Sequence, residues 1–119
     1  MLASSRHVQV EVDGVTVADS RTPVLLFETG LPVRYYLPKT DVRMDLLTAA
    51  PTTSRCPYKG IAEYYSLTVG ATTYDDFVWW YRHPAHESIG IAGHVAFYNE
   101  RVDLIIDGER QDRPRTKFA

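Results

Sequence analysis

Val8-Gln9-Val10-Glu11-Val12 alternates apolar and polar side chains without a break, Asp13-Gly14 follows, and Val15 and Val17 resume the alternation. A period of two places the valines on one face of an extended chain. An Asp-Gly pair between two such runs is a strong short-range signal for a hairpin with a two-residue turn. A chain that opens this way is set to build antiparallel strands with one buried face, and later segments agree with it. Val24-Leu25-Leu26-Phe27 is an unbroken apolar run suited to a central strand, and Arg34-Tyr35-Tyr36-Leu37 is a short strand closed by Pro38. After Pro38 a helical turn capped by Thr40 is expected to start, Asp41 to Leu47 alternates charges and aliphatics as a turn running into a strand, and Ala50-Pro51-Thr52-Thr53-Ser54 has the composition of a loop.

The second half repeats the pattern. After Gly60, Ile61, Tyr65, Leu67 and Val69 share one face, and Glu63 on that face requires a partner. From Thr72 to Tyr81, alternation puts Phe77, Trp79 and Tyr81 on one side and Val78 and Trp80 on the other. Val95-Ala96-Phe97-Tyr98, an Asn99-Glu100 loop and Arg101 to Ile106 form a closing hairpin that ends at Asp107-Gly108. Strand signals therefore fill residues 1–109 as a single domain. Residues 110–119 carry four cations, one Asp and a proline with almost no apolar content, and are expected to be a mobile basic tail.

A chain of 119 residues with 45% apolar content makes one ordinary domain. A net charge of −2 offers no bulk attraction to nucleic acid or anionic lipid, so neither is expected as a partner. The single Cys56 fits a reducing compartment, and Met1 to Arg6 is too short in apolar residues for a signal peptide, so the expected location is cytoplasmic.

Chemistry concentrates at Cys56-Pro57-Tyr58-Lys59-Gly60, which joins a thiol, a rigid proline, a phenol, an amine and a hinge glycine ahead of a long strand. Cys56 is either a thiolate nucleophile activated by Lys59 or His94, or a small buried hydrophobe. Lys59-Gly60 lacks the upstream glycine of a phosphate loop, so Lys59 is either a lone anion-binding cation or the partner of Glu63. His83, His86 and Glu87 have metal-ligating side chains, but Pro84 prevents a helical ligand pair, and a solvated loop is the expected reading. His94, between Gly93 and Val95, is a proton shuttle, a ligand donor or a structural hydrogen-bonding group.

Four blocks carry a family resemblance: Arg34-Tyr35-Tyr36-Leu37-Pro38; Asp41-Val42-Arg43-Met44-Asp45-Leu46-Leu47; Cys56-Pro57-Tyr58-Lys59-Gly60 with Tyr64 and Tyr65; and Ile91 to Tyr98 with Val102-Asp103. In order and spacing they resemble the bacterial domain of unknown function 427 family, over about Val8 to Glu109. The resemblance implies a β-tent, two antiparallel sheets leaning together with short helical turns at most, similar to methionine sulfoxide reductase B and the ligand-binding domain of cereblon. A nucleotidyltransferase label sometimes attached to the family does not define an activity. Zinc-bearing β-tents hold their metal with paired cysteines, whereas this chain has Cys56 alone, so no metal and no cofactor is expected.

Two classes of function follow. In the first, Arg34, Tyr36, Tyr58, Lys59, Tyr64, Trp79 and His94 line an aromatic cleft between the two sheets that takes a planar or acidic small molecule. Three segments should meet there: the loop ending at Gly60, the strand carrying Trp79, and the segment reaching His94. No catalytic residue is assigned, and whether the chain is an enzyme is left open. In the second class, sheet edges and exposed aromatics bind another protein or a second copy of the chain.

Overall fold

The computed structural model describes residues 1–119. Its strands are β1 (Leu2–Ala3), β2 (Val8–Val12), β3 (Val15–Ser20), β4 (Val24–Leu26), β5 (Arg34–Leu37), β6 (Leu47–Cys56), β7 (Gly60–Val69), β8 (Thr72–Tyr81), β9 (Val95–Phe97), β10 (Asp103–Ile106) and β11 (Glu109–Arg110). They form a seven-stranded sheet in the order β1-β4-β5-β9-β8-β7-β6 and a four-stranded sheet in the order β11-β10-β2-β3, antiparallel throughout. The rest of the regular structure is three 3-10 turns at Lys39–Asp41, Met44–Leu46 and His86–Ile91. This is the mainly β, two-sheet architecture that the resemblance implies. No helix is long and apolar enough to cross a membrane.

The opening hairpin forms as its sequence dictates. Asp13 and Gly14 both take positive φ, 52° and 78°, as a two-residue turn matched to strand twist requires, and Asp107-Gly108 repeats the device between β10 and β11. Val8, Val10, Val12 and Val17 then face the large sheet and pack against Leu37, Leu67, Val78, Val95 and Phe97. This is the main core, and it fills the space between the sheets. Trp80 belongs to it, with the Lys39 ammonium 3.3 Å and the Arg82 guanidinium 4.6 Å from its ring centre.

Several sequence expectations change. Ala50 to Ser54 is not a loop but part of β6, an edge strand paired with β7; the register slips between Ala50 and Thr53, and a bulge on an edge is where Pro51 does no harm. Thr40 caps nothing: the first 3-10 turn follows Pro38 without a side-chain cap. Phe77 joins the inter-sheet core rather than the side of Trp79 and Tyr81, because Asp76 sits at φ 49° where the β7–β8 register shifts and the alternation restarts after it. Val95 to Ile106 is not a hairpin either. β9 pairs with β5 and β8 in the large sheet, whereas β10 pairs with β2 in the small one, so Tyr98 to Val102 carries the chain from one sheet to the other. Glu63 does find a partner, Arg82, through paired hydrogen bonds of 2.9 and 3.0 Å.

Residues 110–119, expected to be mobile, have defined contacts. Arg113 bonds Asp103, Gln111 N–H donates to Leu104 O at 2.8 Å, Thr116 donates to Glu100, and Phe118 packs 6.0 Å from the Tyr98 ring. Composition misses this because the segment brings little of its own to bury. It needs only one aromatic and a few donors to lie on a surface already built.

Candidate functional site: an aromatic cleft on the outer face of the large sheet

Pleating sorts the large sheet's side chains strictly. Tyr35, Leu37, Tyr65, Leu67, Val78, Trp80, Val95 and Phe97 point into the inter-sheet core; Tyr36, Ala62, Tyr64, Trp79, Tyr81 and Ala96 point the other way and form a second cluster with Ile91. The cleft grows on this outer face. It is not between the sheets, as the sequence suggested, because that space is packed with aliphatic side chains.

The hollow measures about 360 Å³. Its floor is Tyr36, Trp79 and Tyr81; one wall is the β6–β7 hairpin tip with Cys56, Pro57, Lys59 and Tyr64, and another is Glu28 and Leu31 after β4. Tyr98, Lys117 and Phe118 close the remaining side. The hairpin tip is held in place from behind. Ala85 N–H donates to Lys59 O at 2.8 Å, and Gly60, at φ 109°, passes so close to His83 O that a Cβ there would meet it at 3.3 Å.

Of the residues expected to line a cleft, Arg34, Tyr36, Lys59, Tyr64 and Trp79 do so, while Tyr58 and His94 do not. Tyr58 lies at the hairpin turn with Pro57 and Lys59 directed inward, which leaves its ring outward and 81% exposed. His94 is turned onto its own backbone, with Nδ1 3.1 Å from Ala92 O. The third contributing segment is β5 with the C-terminal residues. Neither reading of Lys59 holds as stated, because its Nζ lies 3.0 Å from Glu28 Oε2, so its charge is already matched, and not by Glu63.

Arg34 is likewise no free cation. It makes a paired hydrogen bond to Glu100 at 2.6 and 3.0 Å, donates to Asn99 Oδ1 at 3.0 Å, and lies with its guanidinium 5.5 Å from the Trp79 ring and 5.6 Å from that of Phe118. Asn99 in turn donates to Val33 O at 2.9 Å. The assembly fastens the start of β5 to the crossover between sheets, and the bidentate geometry suits a buried arginine–carboxylate pair. Burial pushes the Glu100 carboxyl up, but hydrogen bonds from Arg34 and Thr116 outweigh it and hold the group below the usual carboxylate range.

The cations without a carboxylate partner along the cleft are Arg55 and Lys117. Sequence reasoning missed both. Arg55 hid in a supposed approach loop and Lys117 in a supposed mobile tail; the strand pairing of Arg55 with Ile61 was the missing signal for the first. The Tyr36, Tyr81 and Tyr98 phenols are neutral. Burial pushes Tyr36 and Tyr81 far up and Tyr98 to about 12, the neighbouring Tyr64 adding to the last. Tyr64 also shares a hydrogen bond of 2.9 Å with Ser54.

A second, wider groove of about 540 Å³ lies behind the hairpin tip, between Ile61, Glu63, Arg82 and His83. Its Arg82–Glu63 charges satisfy each other and it has no Phe, Tyr or Trp ring among its lining. No group of three or more His, Cys, Asp or Glu side chains is arranged to hold a metal ion.

No curated protein matches the sequence. The sequence profile described as domain of unknown function DUF427 matches residues 1–108, nearly the whole of the two-sheet body, and the chain therefore belongs to the DUF427 family.

Proposed function

We propose that the chain binds a small planar organic molecule bearing an acidic group, in the cleft on the outer face of the large sheet. One observation carries the reading. The hollow is walled by the rings of Tyr36, Tyr64, Trp79, Tyr81, Tyr98 and Phe118, and its unmatched charges, Arg55 and Lys117, are both positive. Aromatic walls complement a flat ligand, and unpaired cations at a concave site favour an anionic one. No reaction is assigned to the cleft.

The test is titration of intrinsic tryptophan fluorescence with planar aromatic carboxylates, since Trp79 forms the floor. Saturable quenching is expected for the wild type. An Arg55→Glu/Lys117→Glu variant should bind about ten-fold more weakly, two exposed charges each turning from weak attraction to weak repulsion. Equal affinity in the variant, or no saturable response in the wild type, overturns the proposal.

The second reading, a protein-binding surface, is favoured by exposed Tyr58 and Ile61 on the hairpin that carries the open edge strand β6. The bulge and Pro51 in β6 blunt that edge against strand addition. A concave aromatic site is the stronger feature.

A further inference from the structure

Two hydroxyl groups on the cleft floor have hydrogens that nothing in the chain accepts. Trp79 Nε1–H donates to the Tyr36 hydroxyl oxygen at 3.0 Å, which is the one hydrogen bond this phenol makes, so its own O–H hydrogen is directed elsewhere. Tyr36 is fully buried and lines the hollow. Tyr81, 4% exposed, lines the same hollow and makes no side-chain hydrogen bond. No fully sealed side-chain oxygen or nitrogen lacks a partner anywhere in the molecule, so the free Tyr81 hydroxyl opens onto the cavity.

The two phenols line the same hollow and belong to one packed cluster. Both stay protonated through the physiological range, because burial raises both far above an ordinary phenol, so each keeps an O–H hydrogen to donate. The bond received from Trp79 polarises the Tyr36 hydroxyl and makes it the better donor. Buried polar groups are almost always hydrogen-bonded, and on the floor of this cavity the Tyr36 hydrogen and the Tyr81 hydroxyl have no acceptor within the chain, which leaves both for a molecule in the hollow.

We infer that Tyr36 and Tyr81 form a two-phenol clamp that receives one sp² oxygen of the bound molecule, a carboxylate or conjugated carbonyl oxygen with two lone pairs to offer. The inference rests on the cleft being the ligand site and sets how the ligand lies in it. Its oxygen points down to the floor, its ring stacks against the aromatic walls, and any further negative charge faces Arg55 and Lys117 at the rim. Cys56, packed against the same cluster, is a wall of the clamp and needs no chemistry of its own.

The experiment uses the full chain and three flat probes: 2-naphthoate with an acceptor and a charge, 2-naphthamide with an acceptor and no charge, and 2-naphthylmethylamine with no acceptor. Tyr81→Phe removes one donor and no protein–protein hydrogen bond. It should weaken 2-naphthoate at least ten-fold and 2-naphthamide several-fold, and leave the amine, already the weakest of the three, unchanged. Tyr36→Phe should do the same, but it also strands Trp79 Nε1, so Tyr81→Phe is the deciding variant.

The failures separate. If 2-naphthoate binds Tyr81→Phe as it binds the wild type, yet loses affinity in Arg55→Glu/Lys117→Glu, the cleft binds anions and the clamp is wrong. If 2-naphthoate does not bind the wild type at all, the clamp and the cleft reading fall together.

Discussion

The two faces of the large sheet are made by the same strands and differ in almost every physical respect. Toward the small sheet, β5, β7, β8 and β9 present aliphatic and aromatic carbon that meets the valines of β2 and β3, and the space is filled. On the other face the same strands carry phenols, an indole and Arg34, and what covers them is a hairpin tip, two loops and the C-terminal residues. A face covered by another sheet is packed by area and shape alone. A face covered by loops keeps a hollow, and the polar groups in it must be matched one by one. Arg34, Asn99, Glu100 and Thr116 are matched to each other, Lys59 to Glu28; Tyr81, the Tyr36 hydrogen, Arg55 and Lys117 are not. Stability is therefore invested in the first set and ligand capacity in the second.

The largest test of that division is at Glu100, whose side chain is fully buried. Glu100→Gln leaves the Arg34 charge with no anion in a buried site, and the expected loss is about 4 kcal/mol in urea unfolding. A loss under ~1 kcal/mol would mean that Arg34 reaches water and the network is not structural. Acid should act on the same group. Its native carboxyl lies below the ordinary value, so the contribution is complete at neutral pH and disappears as pH falls through the ordinary carboxylate range, about 4.3, and on through the depressed native value. The wild type should lose stability between pH 5 and 3 more steeply than Glu100→Gln; parallel curves (roughly equal slopes) would exclude Glu100 as the source.

Next in size is Leu67, fully buried between the sheets. Leu67→Ala removes methyl groups from a filled space and should cost about 3 kcal/mol. Affinity for 2-naphthoate should stay within about two-fold of the wild type once folded protein is counted, because Leu67 faces away from the cleft. A tenfold loss of affinity at full folding would show that the two faces are coupled.

How legible all this was in the sequence depends on distance along the chain. The β2–β3 hairpin was plain because alternation and an Asp-Gly turn are local facts, and the alternation of Trp79 and Tyr81 against Val78 and Trp80 holds for the same reason. The family blocks carried the two-sheet architecture. Phe77 was misplaced because a single left-handed residue, Asp76, resets the period, and nothing in an Asp-Asp pair announces a bulge. The β9–β10 connection was misjudged because β10 pairs with β2, more than ninety positions earlier, and such a partner leaves no local signature. Arg34 and Lys59 were identified as cleft residues but not as matched charges. Their partners Glu100 and Glu28 arrive from other segments, and pairing between segments is set by tertiary structure alone.

A smaller effect is expected from the C-terminal strap. Phe118 lies over Arg34 and against Tyr98, and its carbonyl accepts from Arg101 Nε at 2.8 Å. Phe118→Ala should lower stability by about 1 kcal/mol, the size of an aromatic contact with a cation–π component at a partly exposed site. The same change opens the side of the cleft, so the 2-naphthoate off-rate in stopped flow should rise several-fold. An unchanged off-rate would mean that the strap is not a wall of the occupied site.

The smallest effect on stability is expected where the effect on binding is large. Tyr81→Phe deletes an oxygen that bonds to nothing in the protein, keeps the ring beside Ala62 in the outer cluster, and removes a hydroxyl that opens onto the cavity without a partner in the chain. Removing a buried polar atom costs stability only when a partner is left behind, and here none is. The thermal midpoint should therefore move by no more than the ~0.5 kcal/mol typical of neutral substitutions, and a slight rise is the direction the physics favours. The same variant is the one expected to lose 2-naphthoate. A drop of more than ~1 kcal/mol on Tyr81→Phe would show that the hydroxyl already has a structural partner, an ordered water held in place by the fold. A donor occupied in that way could receive a ligand oxygen only by displacing the water, and Tyr81 would then belong with Glu100 among the matched groups.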